Sequence, residues 1–69
     1  MLTVAPLKEK LREERRRAAL TQGELAAKAG VGVTTIVRIE TGEIEEPRVS
    51  TLRKLAKALG VKPRDLLDD

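Results

Sequence analysis

The 69-residue chain has no Cys, His, Phe, Tyr or Trp, no Asn, and only one Ser and one Gln. Each absence removes a class of function. Without Cys or His there is no zinc site, no disulfide, no thiol nucleophile and no imidazole acid or base. Without aromatic rings there is no stacking platform for unpaired bases. The acidic neighbours Glu45-Glu46 and Asp68-Asp69 fall on a loop and a tail, and the lone Ser50 suits a helix cap better than a nucleophile. No enzyme activity and no cofactor or metal are therefore expected. Residues 1–6 lack the charged start and long apolar run of a signal peptide. No stretch approaches the roughly 18 apolar residues of a membrane span, so no membrane partner is expected. The missing Cys fits a reducing, cytoplasmic setting.

What is present is Leu, Ile, Val and Ala for a core, with 14 Lys+Arg against 11 Asp+Glu. The charge is unevenly placed. Residues 1–20 are basic, residues 21–42 are balanced, and Glu43, Glu45 and Glu46 form an acidic patch. Between residues 48 and 62 every charge is positive: Arg48, Arg53, Lys54, Lys57 and Lys62. No linker or internal repeat divides the chain. One domain over 1–69 is expected, with its core between about residues 6 and 67. A domain this small buries only about 60% of its unfolded surface, which favours a compact helical bundle with local contacts.

Punctuation residues cut the chain into five helical segments. Pro6 suits a first helical position, and Leu7, Leu11, Glu14/Arg15 and Ala18 then share one face. Thr21 with Glu24 makes a capping box for a helix Gln22–Ala29, with Leu25, Ala26 and Ala29 inward. Gly30 ends it. A third helix is expected over Val33–Thr41, with Ile36 and Ile39 inward and Gly42 as its stop. Residues 43–47 read as a loop. Ser50 is the expected cap of a fourth helix carrying Leu52, Leu55, Ala56 and Leu59, which Gly60 stops. After Lys62-Pro63 a last helical turn or two carries Leu66 and Leu67. Nothing alternates with the period of a strand, so the fold class is all-α.

The segment Thr21–Gly42 reads helix, tight turn, helix. Ala26 is small enough for two helices to cross closely, and Gly30 permits the short turn. Leu25, Val31, Ile36 and Ile39 would form the wedge that sets the angle. The second of these helices would then present Val33, Thr34, Val37 and Arg38 outward, in a shape that fits the major groove of duplex DNA.

At these residues the chain closely resembles the lambda repressor/Cro-like (XRE) helix-turn-helix family. The resemblance covers Leu11-Arg12, Arg15, Leu20-Thr21-Gln22, Glu24-Leu25-Ala26, Gly30-Val31, Ile36, Arg38-Ile39-Glu40, Gly42 and Pro47. It continues through Thr51-Leu52, Leu55-Ala56, Ala58-Leu59, Val61 and Leu66. It implies a compact five-helix bundle whose third helix reads bases, and a sequence-specific double-stranded DNA-binding function in transcription, as in a repressor. The base-reading positions map to Val33, Thr34 and Arg38, with Val37 beside them. Arg38 suits either a bidentate guanine contact or a plain phosphate contact. Gln22 matches a phosphate-binding glutamine, with an internal capping contact as the alternative. Arg12 and Gly32 are further phosphate-side candidates, although Gly32 stands where relatives have a Ser or Thr cap. A solvated face is the alternative for Arg12, Arg16 and Arg17. Arg15 and Glu40 match an internal salt bridge between helices 1 and 3.

One such module reads few base pairs, so a homodimer on a pseudo-palindrome is expected, at least when bound to DNA. Leu66 and Leu67 are candidates for a small dimer contact, with a core role the alternative for Leu66. The acidic loop Glu43–Glu46 departs from the family, which tends to place basic residues there. It leaves open a protein-interaction module on the same fold, such as the antitoxin of a toxin pair or a transcription coactivator with a protein partner.

Overall fold

A computed structural model describes residues 7–67. Its elements in chain order are α1 (Leu7–Arg17), α2 (Gln22–Ala29), α3 (Val33–Thr41), α4 (Val49–Leu59) and a 3-10 turn over Pro63–Leu66. There is no strand among the described residues. The position of Pro6 at the head of the first helix lies outside the described residues. The expected fifth helix is a single 3-10 turn rather than an α-helix. Pro63 brings no N–H, Lys62 N donates to Asp65 Oδ2 at 2.9 Å, and Asp65 N reaches back to the Lys62 carbonyl at 2.8 Å. One tight turn suffices to seat Leu66, which is fully buried.

The core forms where the periodicity placed it. Leu11, Leu25, Ile36, Ile39, Leu55 and Leu66 are completely buried, with Ala26, Ala29, Leu52, Ala56 and Ala58 around them. Val31 packs against this cluster from the turn, so the wedge between α2 and α3 is made of the expected residues. α3 lies against α1 and α2, α2 also packs on α4, and the last turn closes against α4 and α1.

Local chemistry explains most boundaries. Thr21 Oγ1 accepts from Glu24 N at 3.1 Å, and Glu24 Oε1 accepts from Thr21 N at 2.8 Å, a complete capping box. Those bonds, the backbone one foremost, hold the Glu24 carboxyl below the usual carboxylate range. Gly30 and Gly42 end α2 and α3 in the left-handed conformation, at φ 71° and 88°.

Two boundaries differ from expectation. Ser50 does not cap α4. Arg48 is the extended residue before the helix, and its carbonyl accepts from Leu52 N at 3.0 Å. The helix therefore starts directly after Pro47-Arg48, with Ser50 inside its first turn and no side chain capping it. Ala18 is exposed rather than inward, because α1 stops at Arg17 and the chain turns through Ala19 at φ 58°. Leu20 N closes that turn onto the Arg15 carbonyl at 3.1 Å.

Candidate nucleic-acid interface

The short α3 is held rigidly from behind. Ile36 and Ile39 are fully buried, while Val33, Thr34 and Arg38 are exposed and Val37 is half-buried. Spacings of one, three and four residues place Val33, Thr34, Val37 and Arg38 on adjoining turns of one outward surface. Gly32 precedes them in extended conformation and supplies no side-chain cap. Among the described residues, no side chain caps the first N–H groups of α3.

A second group of candidates converges on Glu40, the next turn of the same helix. Its carboxylate is 2% exposed. Arg15 grips it twice, Nε to Oε2 at 2.7 Å and Nη2 to Oε1 at 3.0 Å, while Arg15 Nη1 donates to the Leu20 carbonyl at 2.9 Å. Gln22 Nε2 donates to Glu40 Oε1 at 3.1 Å. Arg12 Nη2 donates to the Glu40 carbonyl at 3.2 Å, with its Nε 3.9 Å from the carboxylate. One buried acid thus ties α1, the turn after it, the start of α2 and the end of α3 together.

Burial opposes the charge on Glu40. The bonds from Arg15 and Gln22, with the positive charges of Arg15 and Arg12, outweigh it and hold the carboxyl below its usual range. The same hydrogen bond to Glu40 raises the already high Arg15 value against the opposing effect of burial. Gln22 and Arg12 are thereby fixed at the edge of this cluster rather than free on the surface. The Arg15–Glu40 pairing matched a family pattern, but nothing in the sequence marks Gln22 and Arg12 as its further partners. They sit 18 and 28 residues from Glu40, so only the packed fold brings them together.

Past Gly42, Ile44 N donates to the Arg38 carbonyl at 3.0 Å, folding the acidic loop back on the end of α3. Arg38 Nε then lies 3.1 Å from Glu43 Oε2. Glu45 and Glu46 are exposed. Arg16 and Arg17 are also exposed, and Arg17 makes a 3.4 Å contact with Glu14 one turn back. Leu67 is 47% exposed, unlike the buried Leu66.

A family model for the helix-turn-helix matches residues 11–66, the stretch that carries this whole arrangement. The chain belongs to the lambda repressor-like helix-turn-helix family. Within that family it is 38% identical over 64 residues to the uncharacterized HTH-type transcriptional regulator RghRB of Bacillus subtilis. That match covers 93% of this chain and 46% of RghRB, so the chain spans about half the length of that relative. Its fold superimposes with a TM-score of 0.87 on SinR, the master regulator for biofilm formation, solved in complex with DNA. The two are 29% identical, over 90% of this chain and 98% of that one. The P22 c2 repressor, solved in complex with a synthetic operator, matches with a TM-score of 0.83 and 32% identity, over 91% of this chain and 94% of that one. These helix-turn-helix relatives share the bundle in which α2 and α3 form the motif.

Proposed function

We infer that this helix-turn-helix domain, one unit over the described residues 7–67, binds double-stranded DNA in a sequence-specific way and regulates transcription. The observation that carries this reading is the outward face of α3. Three exposed side chains, Val33, Thr34 and Arg38, stand on a helix whose opposite side is locked in the core. A helix so mounted enters the major groove without rearrangement of the bundle. SinR and the P22 c2 repressor, similar in fold and in sequence, have each been solved in complex with DNA, which supports the DNA-binding reading.

Arg38 reads guanine through O6 and N7, Thr34 offers a hydroxyl and a methyl, and Val33 and Val37 pack on thymine methyls. Gln22 spends one amide N–H on Glu40 and keeps the second for a phosphate at the start of α2. Arg12 and the free backbone at Gly32 add phosphate contacts. With so few polar groups on the reading helix, DNA shape and backbone contacts supply much of the selectivity. The domain acts in the cytoplasm without catalysis, as a homodimer on DNA, with half-sites about 34 Å apart.

Selection from random duplexes at two salt concentrations tests this. Enrichment of a pseudo-palindrome, with affinity that falls steeply as salt rises, is the expected result. Weak binding with no enriched sequence would overturn it. The exposed Glu45 and Glu46 favour one second reading, a protein-interaction module on the same fold. SinR, similar in fold, has been solved in complex with the SinI protein. DNA binding that appears only with a second protein would support that reading.

A further inference from the structure

We propose that Glu43 determines specificity by holding Arg38 in the orientation that reads guanine. This rests on the DNA-binding reading above and adds a residue to it. Glu43 cannot drift from the end of α3. Gly42 before it turns the chain at φ 88°, and Ile44 after it is tied to the Arg38 carbonyl at 3.0 Å and packs on the core. Between these two fixed points the Glu43 carboxylate meets Arg38 at Nε, 3.1 Å away.

The choice of nitrogen matters. A guanidinium carries five N–H donors in a rigid fork. The Glu43 carboxylate lies on the Nε side of the guanidinium as an ion pair, which leaves the donors of both Nη atoms, and two of these satisfy guanine O6 and N7 end-on. The pair is solvent-exposed, with Arg38 at 54% and Glu43 at 65%, so it contributes little to folding. Its effect appears in the groove, where water is displaced and the attraction between the charges strengthens. On a duplex with guanine under Arg38, the arginine keeps both partners. On any other duplex Arg38 must turn to a phosphate, which leaves Glu43 facing the DNA backbone unpaired. Glu43 thus weakens wrong complexes more than the right one.

The same loop supplies the control. Glu45 and Glu46 are exposed and make no ion pair among the described residues. If the loop acts only through its charge, Glu45→Gln and Glu43→Gln should behave alike.

The experiment measures affinity for the duplex selected by the wild-type domain and for the same duplex with the guanine replaced. The proteins are the wild type, Glu43→Gln, Glu43→Asp, Glu45→Gln, Arg38→Ala and the Glu43→Gln/Arg38→Ala double variant. Glu43→Gln should lower the ratio of the two affinities about fivefold or more, within the range set by one bidentate contact. Glu43→Asp keeps the charge but is one methylene shorter, and it should also lower the ratio. Glu45→Gln should tighten binding to both duplexes and leave the ratio within about twofold. In the Arg38→Ala background, Glu43→Gln should no longer change the ratio.

An unchanged ratio in Glu43→Gln, an equal change in Glu45→Gln, or the same change without Arg38 would each overturn the role of Glu43. If Arg38→Ala alters preference at no guanine, the role falls too. Those results leave the DNA-binding function standing. A wild-type domain that selects no sequence removes both.

Discussion

Glu40 is the residue on which the interface depends. Its carboxylate is buried, and three side chains from α1 and α2 bond to it or its backbone. Replacing Arg15 by Ala leaves that charge without its main partner, and the expected loss is about 3–5 kcal/mol of folding stability. A domain of this size has only about 0.05–0.15 kcal/mol per residue in total. Arg15→Ala should therefore lose about a third or more of the stability of the fold, read as a lower unfolding midpoint by circular dichroism in a denaturant series. The depressed carboxyl of Glu40 also sets a pH dependence. An acid whose folded value lies below its unfolded one stabilises the fold fully above about pH 4.3, the unfolded value for Glu. The stabilisation is lost as pH falls through the folded value. Unfolding midpoints should be flat near neutrality and fall in acid. Glu40→Gln should start lower at neutral pH and lose less in acid, and an unaltered acid slope would show that another carboxylate controls it.

Ala19 is the other informative residue. It occupies the left-handed region at φ 58°, where a Cβ costs about 1–2 kcal/mol. Glycine there adds about 0.4–1 kcal/mol of unfolded-state entropy, so Ala19→Gly should stabilise by up to about 1.6 kcal/mol net. Thermal unfolding reads the result, and a lower midpoint would contradict it. No residue type marks this turn, because the usual glycine is missing. Arg15 takes over part of that role by bonding the Leu20 carbonyl.

Among the elements, α2 and α3 were legible nearly to the residue. Thr21 and Glu24 mark the start of α2, while Gly30 and Gly42 mark the ends of both helices. The start of α4 was not, since Ser50 offers a plausible cap but the backbone leaves Pro47-Arg48 extended and begins at Val49. The last element was located but not typed. A four-residue turn carries no periodicity with which to tell a 3-10 turn from an α-turn. Within the interface, the outward face of α3 follows from spacing alone. The Gln22–Glu40 and Arg38–Glu43 contacts do not, because each depends on where a turn aims the chain. For the acidic loop as an element, Glu45→Lys with Glu46→Lys should tighten non-specific duplex binding, with the larger effect at low salt. No change would show that the loop lies away from the duplex.

At the scale of the molecule, the net charge of +3 hides two different surfaces. One is the α3 face, nearly neutral and apolar, with Gln22 and Arg12 at its margin. The other is a basic stretch where Lys28 of α2 and Lys54 and Lys57 of α4 surround a shallow depression. Charge alone would favour the second as the DNA-binding face. Geometry favours the first, because α3 is the second helix of the helix-turn-helix, packed on α1 and α2, with Val33, Thr34 and Arg38 exposed. Amide chemical-shift mapping of the labelled domain titrated with its selected duplex distinguishes them most directly. The largest shifts should fall on Gln22, Gly32, Val33, Thr34, Val37 and Arg38. Shifts concentrated on Lys28, Arg53, Lys54 and Lys57, with α3 unmoved, would contradict this.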